Sequence, residues 1–202
     1  MDWMSAGILV ALVFASAAEG AFVRPDTRYV WPPGWAEPSA RYDVIYDGEG
    51  QEANNITVVA DEARGTIVIT DPLVKMHTTT GGPGVDPLGP RVTASWVCAT
   101  PGRGEATCVT TPGQQCWSLQ CDSIPGVYSW NGMLKIAGNL GDDTIRVLPG
   151  PMESLVWGVY GNDVIDVANQ TVDSVSCGPG TDQVTADPQD RLQADCELVT
   201  RT

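Results

Sequence analysis

Three short loops near the end of the chain carry the residues best suited to chemistry. Each loop has a glycine, one intervening residue and an aspartate, and the three pairs are Gly141 with Asp143, Gly161 with Asp163, and Gly180 with Asp182. Carboxylates and inward-turned backbone carbonyls are oxygen ligands, which hard cations such as Ca²⁺ prefer. Glycine permits the inward turn because it adopts backbone angles that other residues avoid. The pattern therefore favours cation binding, although such loops also occur as simple tight turns between strands.

The same loops resemble a known calcium-binding repeat. The segments 138–146, 158–166 and 177–185 follow a degenerate form of the pattern G-G-x-G-x-D-x-U-x. This pattern is similar to the RTX (hemolysin-type) repeats of secreted bacterial proteins, in which turns bind Ca²⁺ and strands stack into a roll. Asn139, Val159 and Cys177 depart from it, because they stand where the family prefers glycine.

The spacing of the loops agrees with that resemblance. Gly141 and Gly161 are 20 residues apart, and Gly161 and Gly180 are 19 apart. In the family's roll one nonapeptide makes half a coil, so loops on one edge recur about every 18 residues. The resemblance therefore implies three loops stacked on one edge, with about two Ca²⁺ ions between them, and a plain opposite edge. The implied ligands are the carboxylates of Asp143, Asp163 and Asp182 and the carbonyls of Gly141, Gly161 and Gly180.

The composition indicates a β protein rich in turns. The chain has 22 glycines and 15 prolines, and no amphipathic helix of useful length is visible. Strand-like runs at 42–46, 56–60 and 66–70 are rich in Val, Ile, Thr and Tyr and are separated by turn residues. We predict an all-β fold, a short right-handed β-roll or β-helix coil with disulfide-stapled loops and an N-terminal β lead-in.

We expect four segments along the chain. Residues 1–21 have the features of a secretory signal peptide, with a short apolar run and cleavage after Ala18 or Ala21, although no Lys or Arg precedes the run. Residues 22–41 form an extended lead-in rich in Pro and Trp. Residues 42–135 form an N-terminal β coil with Cys-rich loops, and residues 136–202 carry the degenerate calcium-binding repeats, continuous with 42–135 as one domain.

The six cysteines support an oxidising, extracellular location. An even number of cysteines after a signal peptide favours disulfides. Several connectivities are open, and pairing of nearest neighbours is the simplest: Cys98–Cys108, Cys116–Cys121 and Cys177–Cys196. The segment 173–197 also resembles the terminal repeat of such secreted bacterial proteins. We therefore expect a secreted protein, free or at the cell surface, that does not insert into a membrane after cleavage of the signal.

The charge limits the classes of partner. The formal net charge is −14, from 25 acidic and 11 basic residues, which suits cations and argues against nucleic acid or an anionic membrane surface. The single histidine, His77, has no second histidine with which to form a zinc site, and we expect it to be an exposed bystander. No catalytic pair is evident, so we expect no enzymatic activity rather than a hydrolase or lyase built on a β-helix.

Two non-enzymatic functions remain open. The first is a secreted calcium-ion-binding protein in which Ca²⁺ between stacked Gly-x-Asp loops stabilises the roll. The alternative is a calcium-independent surface or adhesion module, in which tryptophans contact carbohydrate or protein. The candidate tryptophans are Trp31, Trp35, Trp96, Trp117, Trp130 and Trp157.

Overall fold

The structure is a computed structural model, and the part of the chain that it describes is all-β. It describes residues 20–30, 39–49, 53–61, 64–78, 96–102, 104–110, 112–117, 120–128 and 133–202. These residues form strands, turns and bends, and none of them lies in a helix. Accordingly, no helix long and apolar enough to cross a membrane occurs in these ranges.

The strands are short and follow one another closely. In chain order they are β1 (Gly20–Val30), β2 (Ser39–Glu49), β3 (Asn55–Asp61), β4 (Thr66–Thr70), β5 (Met76–Thr78), β6 (Trp96–Gly102), β7 (Glu105–Thr110), β8 (Pro112–Trp117), β9 (Gln120–Tyr128), β10 (Leu134–Leu140), β11 (Thr144–Val147), β12 (Ser154–Tyr160), β13 (Val164–Asp166), β14 (Ser174–Ser176), β15 (Gln183–Ala186), β16 (Arg191–Leu192) and β17 (Leu198–Arg201). The three strand-like runs of the sequence therefore lie in β2, β3 and β4.

Two main sheets contain most of the strands. The first sheet has the order β16-β14-β12-β10-β2-β1-β5, and the second has the order β17-β15-β13-β11-β3-β4-β7-β6. The hairpin of β8 and β9 forms a separate two-stranded sheet. From β10 onward, consecutive strands alternate between the two main sheets, and from β12 onward each pairs in parallel with the strand two places earlier.

The strands before β10 follow a different pattern. β1 pairs with β2, β3 with β4, and β4 and β6 with β7, all antiparallel. β2 and β3 then serve as the first members of the parallel stacks, because β10 pairs with β2 and β11 with β3. The chain therefore does not repeat one unit along its whole length. The regular parallel alternation is confined to β2, β3 and the region from residue 134 onward.

The core lies between the two main sheets. The second sheet contributes an aligned row of buried side chains, Ile56, Ile145, Ile165 and Val184, each at most 1 % exposed. The first sheet faces it with a similar row that includes Tyr46, Ile136 and Val156. Each of these large apolar side chains contributes about 1.5–3 kcal/mol when fully buried. The apolar residue that follows each Gly-x-Asp loop thus fixes the register of the loop above the core.

Two of the expected disulfides are formed. Cys98 pairs with Cys108 across β6 and β7, and Cys177 pairs with Cys196 near the end of the chain. Both predictions are confirmed. Cys116 and Cys121 stand opposite each other in the β8–β9 hairpin, but their side chains lie outside the described part.

Other expectations fall wholly or partly outside the described residues. Residues 1–19, which include most of the expected signal peptide, and residues 79–95 are among these. Trp31, Trp35 and Trp130 also lie outside. Of the expected lead-in, residues 22–30 lie in the paired strand β1 and residues 39–41 lie in β2, so these parts are not a free extended segment.

Candidate functional site

The three predicted aspartates are stacked along one edge of the two main sheets. Each stands immediately before a strand of the second sheet, where the chain crosses from the first sheet. Because those strands are parallel and in register, neighbouring aspartates are one strand spacing apart, about 4.8 Å. We call Asp143, Asp163 and Asp182 the carboxylate column. Asn54 precedes it before β3, and Glu197 follows it before β17.

Hydrogen bonds tie each carboxylate to the loop before it. The Asp143 backbone N–H donates to Asp163 Oδ1 at 2.9 Å, and the Asp163 N–H donates to Asp182 Oδ1 at 2.8 Å. The ends continue the series, since the Asn54 N–H donates to Asp143 Oδ1 at 2.7 Å and the Asp182 N–H donates to Glu197 Oε2 at 2.9 Å. One oxygen of every side chain in the carboxylate column is therefore used to hold the loops in register.

The second oxygen of each carboxylate is buried without a donor. Within the described part of the chain, the Oδ2 atoms of Asp143, Asp163 and Asp182 have no hydrogen-bond partner. The three residues are 1 %, 1 % and 0 % exposed, so water does not reach them freely. A buried acceptor left unpaired costs about 1–3 kcal/mol, and more when it is charged. Three successive unpaired oxygens therefore require a cation or a proton.

Glycines make room for these oxygens. A Cβ on Gly138 would collide with Asp143 Oδ2 and lie 3.1 Å from the Gly158 carbonyl oxygen. A Cβ on Gly158 would collide with Asp163 Oδ2 and lie 2.6 Å from the Cys177 carbonyl oxygen. In both loops, therefore, a carboxylate oxygen and a carbonyl oxygen of the next loop face the same space beside a glycine.

Asn54 shows how the first position of the series is satisfied. Its Nδ2 donates to the Gly138 carbonyl oxygen at 2.9 Å and to Asp143 Oδ1 at 3.0 Å. A Cβ on Gly48 would lie 2.9 Å from this nitrogen and 2.7 Å from the Gly138 oxygen, which matches the arrangement at Gly138 and Gly158. At the next two positions an aspartate oxygen takes the place of the amide nitrogen. The second and third positions therefore have a carboxylate oxygen, which is an acceptor, facing a carbonyl oxygen, which is also an acceptor.

Burial dominates the electrostatics of the column. It raises the pKa of Asp143 from 3.8 to about 6; hydrogen bonds from Asn54 oppose the rise, and the charge of Asp163 adds to it. Burial also raises the pKa of Asp163 and of Asp182, in part against the hydrogen bonds that they accept. The folded protein without a cation therefore holds these carboxylates ionised only at a cost.

The opposite edge carries buried aspartates too, which differs from the expectation that it is plain. Asp173 is fully buried, and its Oδ1 accepts hydrogen bonds from the Ser154 N–H at 2.6 Å and the Ser154 hydroxyl at 2.8 Å. Its Oδ2 accepts from the Thr171 hydroxyl at 3.3 Å. Asp190 accepts from the N–H groups of Asp173 and Asp187 at 2.9 and 2.7 Å. On this edge hydrogen bonds from the chain reach both oxygens of Asp173 and of Asp190, although the Thr171 hydroxyl lies closer to Asn169 Oδ1, at 2.6 Å, and burial raises the pKa of Asp173.

The glycines of the predicted ligand set occupy a neighbouring position. A Cβ on Gly161 would collide with the Gly141 carbonyl oxygen, and a Cβ on Gly180 would collide with the Gly161 carbonyl oxygen. These carbonyls therefore point along the stack toward the next glycine, whereas the carbonyls of Gly158 and Cys177 share the space beside Gly138 and Gly158 with the unpaired oxygens of Asp143 and Asp163. Gly141 and Gly161 adopt φ of 112° and 135°, which explains why this position is glycine.

Two departures from the glycine pattern have visible consequences. Asn139 and Val159 adopt φ of 78° and 85°, in the left-handed region, where Gly178 stands in the next loop with φ of 97°. Asparagine tolerates this conformation, but a β-branched residue does so only under strain. Asn139 also donates through its side chain to Asp47 Oδ1 at 2.7 Å. Val159 is therefore the strained position of the three.

Sequence reasoning missed several residues of this edge. Asn54 and Glu197 lie outside the Gly-x-Asp pattern, and only the parallel register reveals that they continue the column. The residue between the glycine and the aspartate also links successive loops. The Asn162 N–H donates to Asp142 Oδ1 at 2.7 Å, and the Thr181 N–H donates to Asn162 Oδ1 at 3.0 Å. The recurrence of Asp, Asn and Thr at that place was the available signal.

Other candidate groups give no competing site. Across the described ranges, no three His, Cys, Asp or Glu side chains are grouped so that they could hold a metal ion among themselves. Backbone carbonyls would therefore have to complete any metal coordination. His77 is not an exposed bystander, because it is half-buried and its ring stacks on Phe22 with centroids 5.4 Å apart.

Comparisons with protein-family models, with curated proteins and with solved structures find no match to this chain. Its function must therefore be argued from the site itself.

Proposed function

We propose that the chain is a secreted, non-enzymatic calcium-binding protein, in which Ca²⁺ ions between successive loops of the carboxylate column stabilise the fold. The observation that carries this proposal is the row of three buried carboxylate oxygens without donors, of which those of Asp143 and Asp163 lie beside a carbonyl oxygen of the next loop. About two ions, one for each step between neighbouring aspartates, would satisfy the unpaired oxygens of Asp143 and Asp163.

The donor atoms suit calcium. Carboxylate and carbonyl oxygens are the ligands that Ca²⁺ takes, at about 2.3–2.6 Å and in flexible numbers. The first ion would take Asp143 Oδ2, Asp163 Oδ1 and the carbonyl of Gly158. The second would take Asp163 Oδ2, Asp182 Oδ1 and the carbonyl of Cys177. Both positions lack sulfur and imidazole ligands, which zinc and copper would favour.

The parallel alternation of strands supports a more specific description of the fold. From residue 134 onward the chain passes from one main sheet to the other and back every 15 to 20 residues, as the spacings of Ser154 from Leu134 and of Leu198 from Gln183 illustrate (154 − 134 = 20; 198 − 183 = 15). We take this part, with β2 and β3, to be a short β-roll that begins on an antiparallel N-terminal portion. Calcium then acts structurally, because it binds only the stacked loops and so favours the folded state.

Secretion agrees with this role. Extracellular calcium modules have dissociation constants of about 10⁻⁴–10⁻³ M, so the column would fill where calcium is abundant. The two disulfides fit an oxidising compartment.

The substitution Asp163→Asn tests the proposal, because Asp163 contributes an oxygen to both cation positions. In about 10 mM calcium, each site should stabilise the native protein by about 1.4–2.7 kcal/mol. We expect Asp163→Asn to lose most of the calcium-dependent rise in Tm. Asp173→Asn is the matched control, since it removes the same charge from an equally buried aspartate on the opposite edge. Equal calcium responses of the two variants and the native protein would refute the proposal.

A calcium-independent adhesion module is the second candidate, and one observation favours it. Trp157 and Tyr160, both on β12, are 38 % and 55 % exposed, which is unusual for large aromatic residues. Such side chains are suited to contacts with carbohydrate or protein. Iodide quenching of tryptophan fluorescence in the native protein and in Trp157→Ala tests this function. Unchanged quenching in the variant would show that Trp157 is not an accessible contact surface.

A further inference from the structure

We propose that Asn54 closes the cation column at its N-terminal end, and that this one side chain determines how many ions the column holds. Its amide nitrogen lies where the next two positions have an unpaired carboxylate oxygen, so this position needs no calcium ion. The inference rests on the proposed function, because it concerns the same column of sites.

Three equivalent positions along the column differ in the side-chain atom that lies beside the glycine. At Gly48, the side-chain atom beside the glycine is Asn54 Nδ2, a donor that bonds both the carbonyl and the carboxylate of the next loop. At Gly138 and Gly158, the equivalent atoms are Asp143 Oδ2 and Asp163 Oδ2, which are acceptors without a donor anywhere in the described ranges. The first position is therefore complete without an ion, and the next two are not.

The neighbours of Asn54 fix the orientation of its amide. The Tyr46 hydroxyl has one proton, which it shares between Asp71 Oδ2 at 2.8 Å and Asn54 Oδ1 at 3.3 Å, and the bond to Asp71 is the shorter. Asp71 Oδ1 in turn accepts from the N–H groups of Asn55 and Leu73 at 3.2 and 3.1 Å. The orientation is therefore fixed at the nitrogen end of the amide, which faces two acceptors, the Gly138 carbonyl oxygen and Asp143 Oδ1. A flipped amide would place an acceptor against the Gly138 carbonyl.

An aspartate at this place would have a different requirement. It would put a carboxylate oxygen where the amide nitrogen now bonds the Gly138 carbonyl and Asp143, which reproduces the arrangement of the next two positions. It would also add a charge to a buried environment that already contains Asp71 and Asp143. The position would then need a cation, and the column would have room for one more ion.

The test is the number of calcium ions bound by the full-length, disulfide-intact variant Asn54→Asp, measured by calorimetric titration after removal of bound metal with a chelator. We expect one more ion per chain than the native protein binds, a lower Tm in chelator and a larger rise in Tm on addition of calcium. Asn55→Asp is the matched control, because it adds the same charge one residue away at an exposed side chain. That variant should keep the native stoichiometry.

The possible outcomes separate this inference from the proposed function. If the native protein binds no calcium, the proposed function fails, and the inference fails with it. If the native protein binds calcium and Asn54→Asp binds the same number of ions or fewer, only the inference about Asn54 is overturned. A variant that remains unfolded both in chelator and in excess calcium also overturns it, because the added ion should replace the lost amide contacts.

Discussion

The substitution Asp143→Asn should stabilise the calcium-free protein, although it changes a buried side chain that the loops use for register. An amide at this position keeps an oxygen to accept the Asn54 N–H, as Asp143 Oδ1 does at 2.7 Å. Its nitrogen would replace Oδ2 and donate toward the Gly158 carbonyl and Asp163, as Asn54 does one loop earlier. The variant extends an arrangement that the chain already contains.

The magnitude follows from the pKa of Asp143, which burial raises from 3.8 to about 6. Keeping this group ionised above pH 6 therefore costs about 3 kcal/mol of folding free energy, and the amide removes that cost. For a chain of this size, about 3 kcal/mol corresponds to a Tm higher by about 6–12 °C. In about 10 mM calcium the advantage should shrink by about 1.4–2.7 kcal/mol, because the variant loses one site.

The assay is thermal or denaturant unfolding of the two proteins in chelator and in calcium at pH about 7.5. Asp142→Asn is the control, since it removes a charge one residue away from an exposed side chain and should change the stability by less than about 1 kcal/mol. An Asp143→Asn variant that is less stable than the native protein in chelator would refute the reasoning. It would mean that Oδ2 has a donor in the folded protein.

Three further predictions concern the same edge. In chelator, the contribution of Asp143 to stability is complete below its unfolded pKa of 3.8 and is lost as the pH rises through about 6. Tm should therefore fall between pH about 4 and 6, less steeply in Asp143→Asn, and a Tm that rises over this range would contradict the pKa direction. Val159→Gly should stabilise the protein by about 1 kcal/mol in denaturant unfolding, because relief of about 1–3 kcal/mol of backbone strain exceeds the entropy cost of glycine. A net loss of stability would show that Val159 is not strained. Gly158→Ala should lower Tm sharply and weaken calcium binding, because its Cβ would meet Asp163 Oδ2 and the Cys177 carbonyl; normal binding by this variant would place the ion elsewhere.

Much of the fold was predictable because local patterns determine it. Alternation of Val, Ile and Thr with turn residues correctly indicated the all-β structure of the described residues. The resemblance of the Gly-x-Asp loops to RTX repeats, together with their spacing, implied that Asp143, Asp163 and Asp182 lie on one edge. The even cysteine count led to the two disulfides that the structure shows. The antiparallel pairing of the N-terminal strands was not predicted, because no repeated motif marks these strands; β3 pairs with β4 and β6 with β7 as neighbours in sequence, whereas β4 pairs with the more distant β7.

The candidate site was predicted less completely than the fold. The aspartates follow a repeat, but Asn54 and Glu197 join the column only through the register of β3 and β17, which no local motif encodes. The sequence favoured the carbonyls of Gly141, Gly161 and Gly180 as ligands, whereas in the structure the carbonyls of Gly158 and Cys177 share the space beside Gly138 and Gly158 with the unpaired oxygens of Asp143 and Asp163. Which carbonyl turns inward depends on the backbone of the stacked loops.

Calorimetric titration of Ca²⁺ into the full-length native protein, after removal of metal with a chelator and with its disulfides intact, tests the central claim most directly. The account predicts saturable binding of about two ions per chain, together with a rise in Tm that Asp163→Asn largely abolishes. An absence of binding heat, with the same Tm in chelator and in calcium, would contradict it. The unpaired oxygens of the column would then be satisfied by protons, and calcium would have no role in the fold.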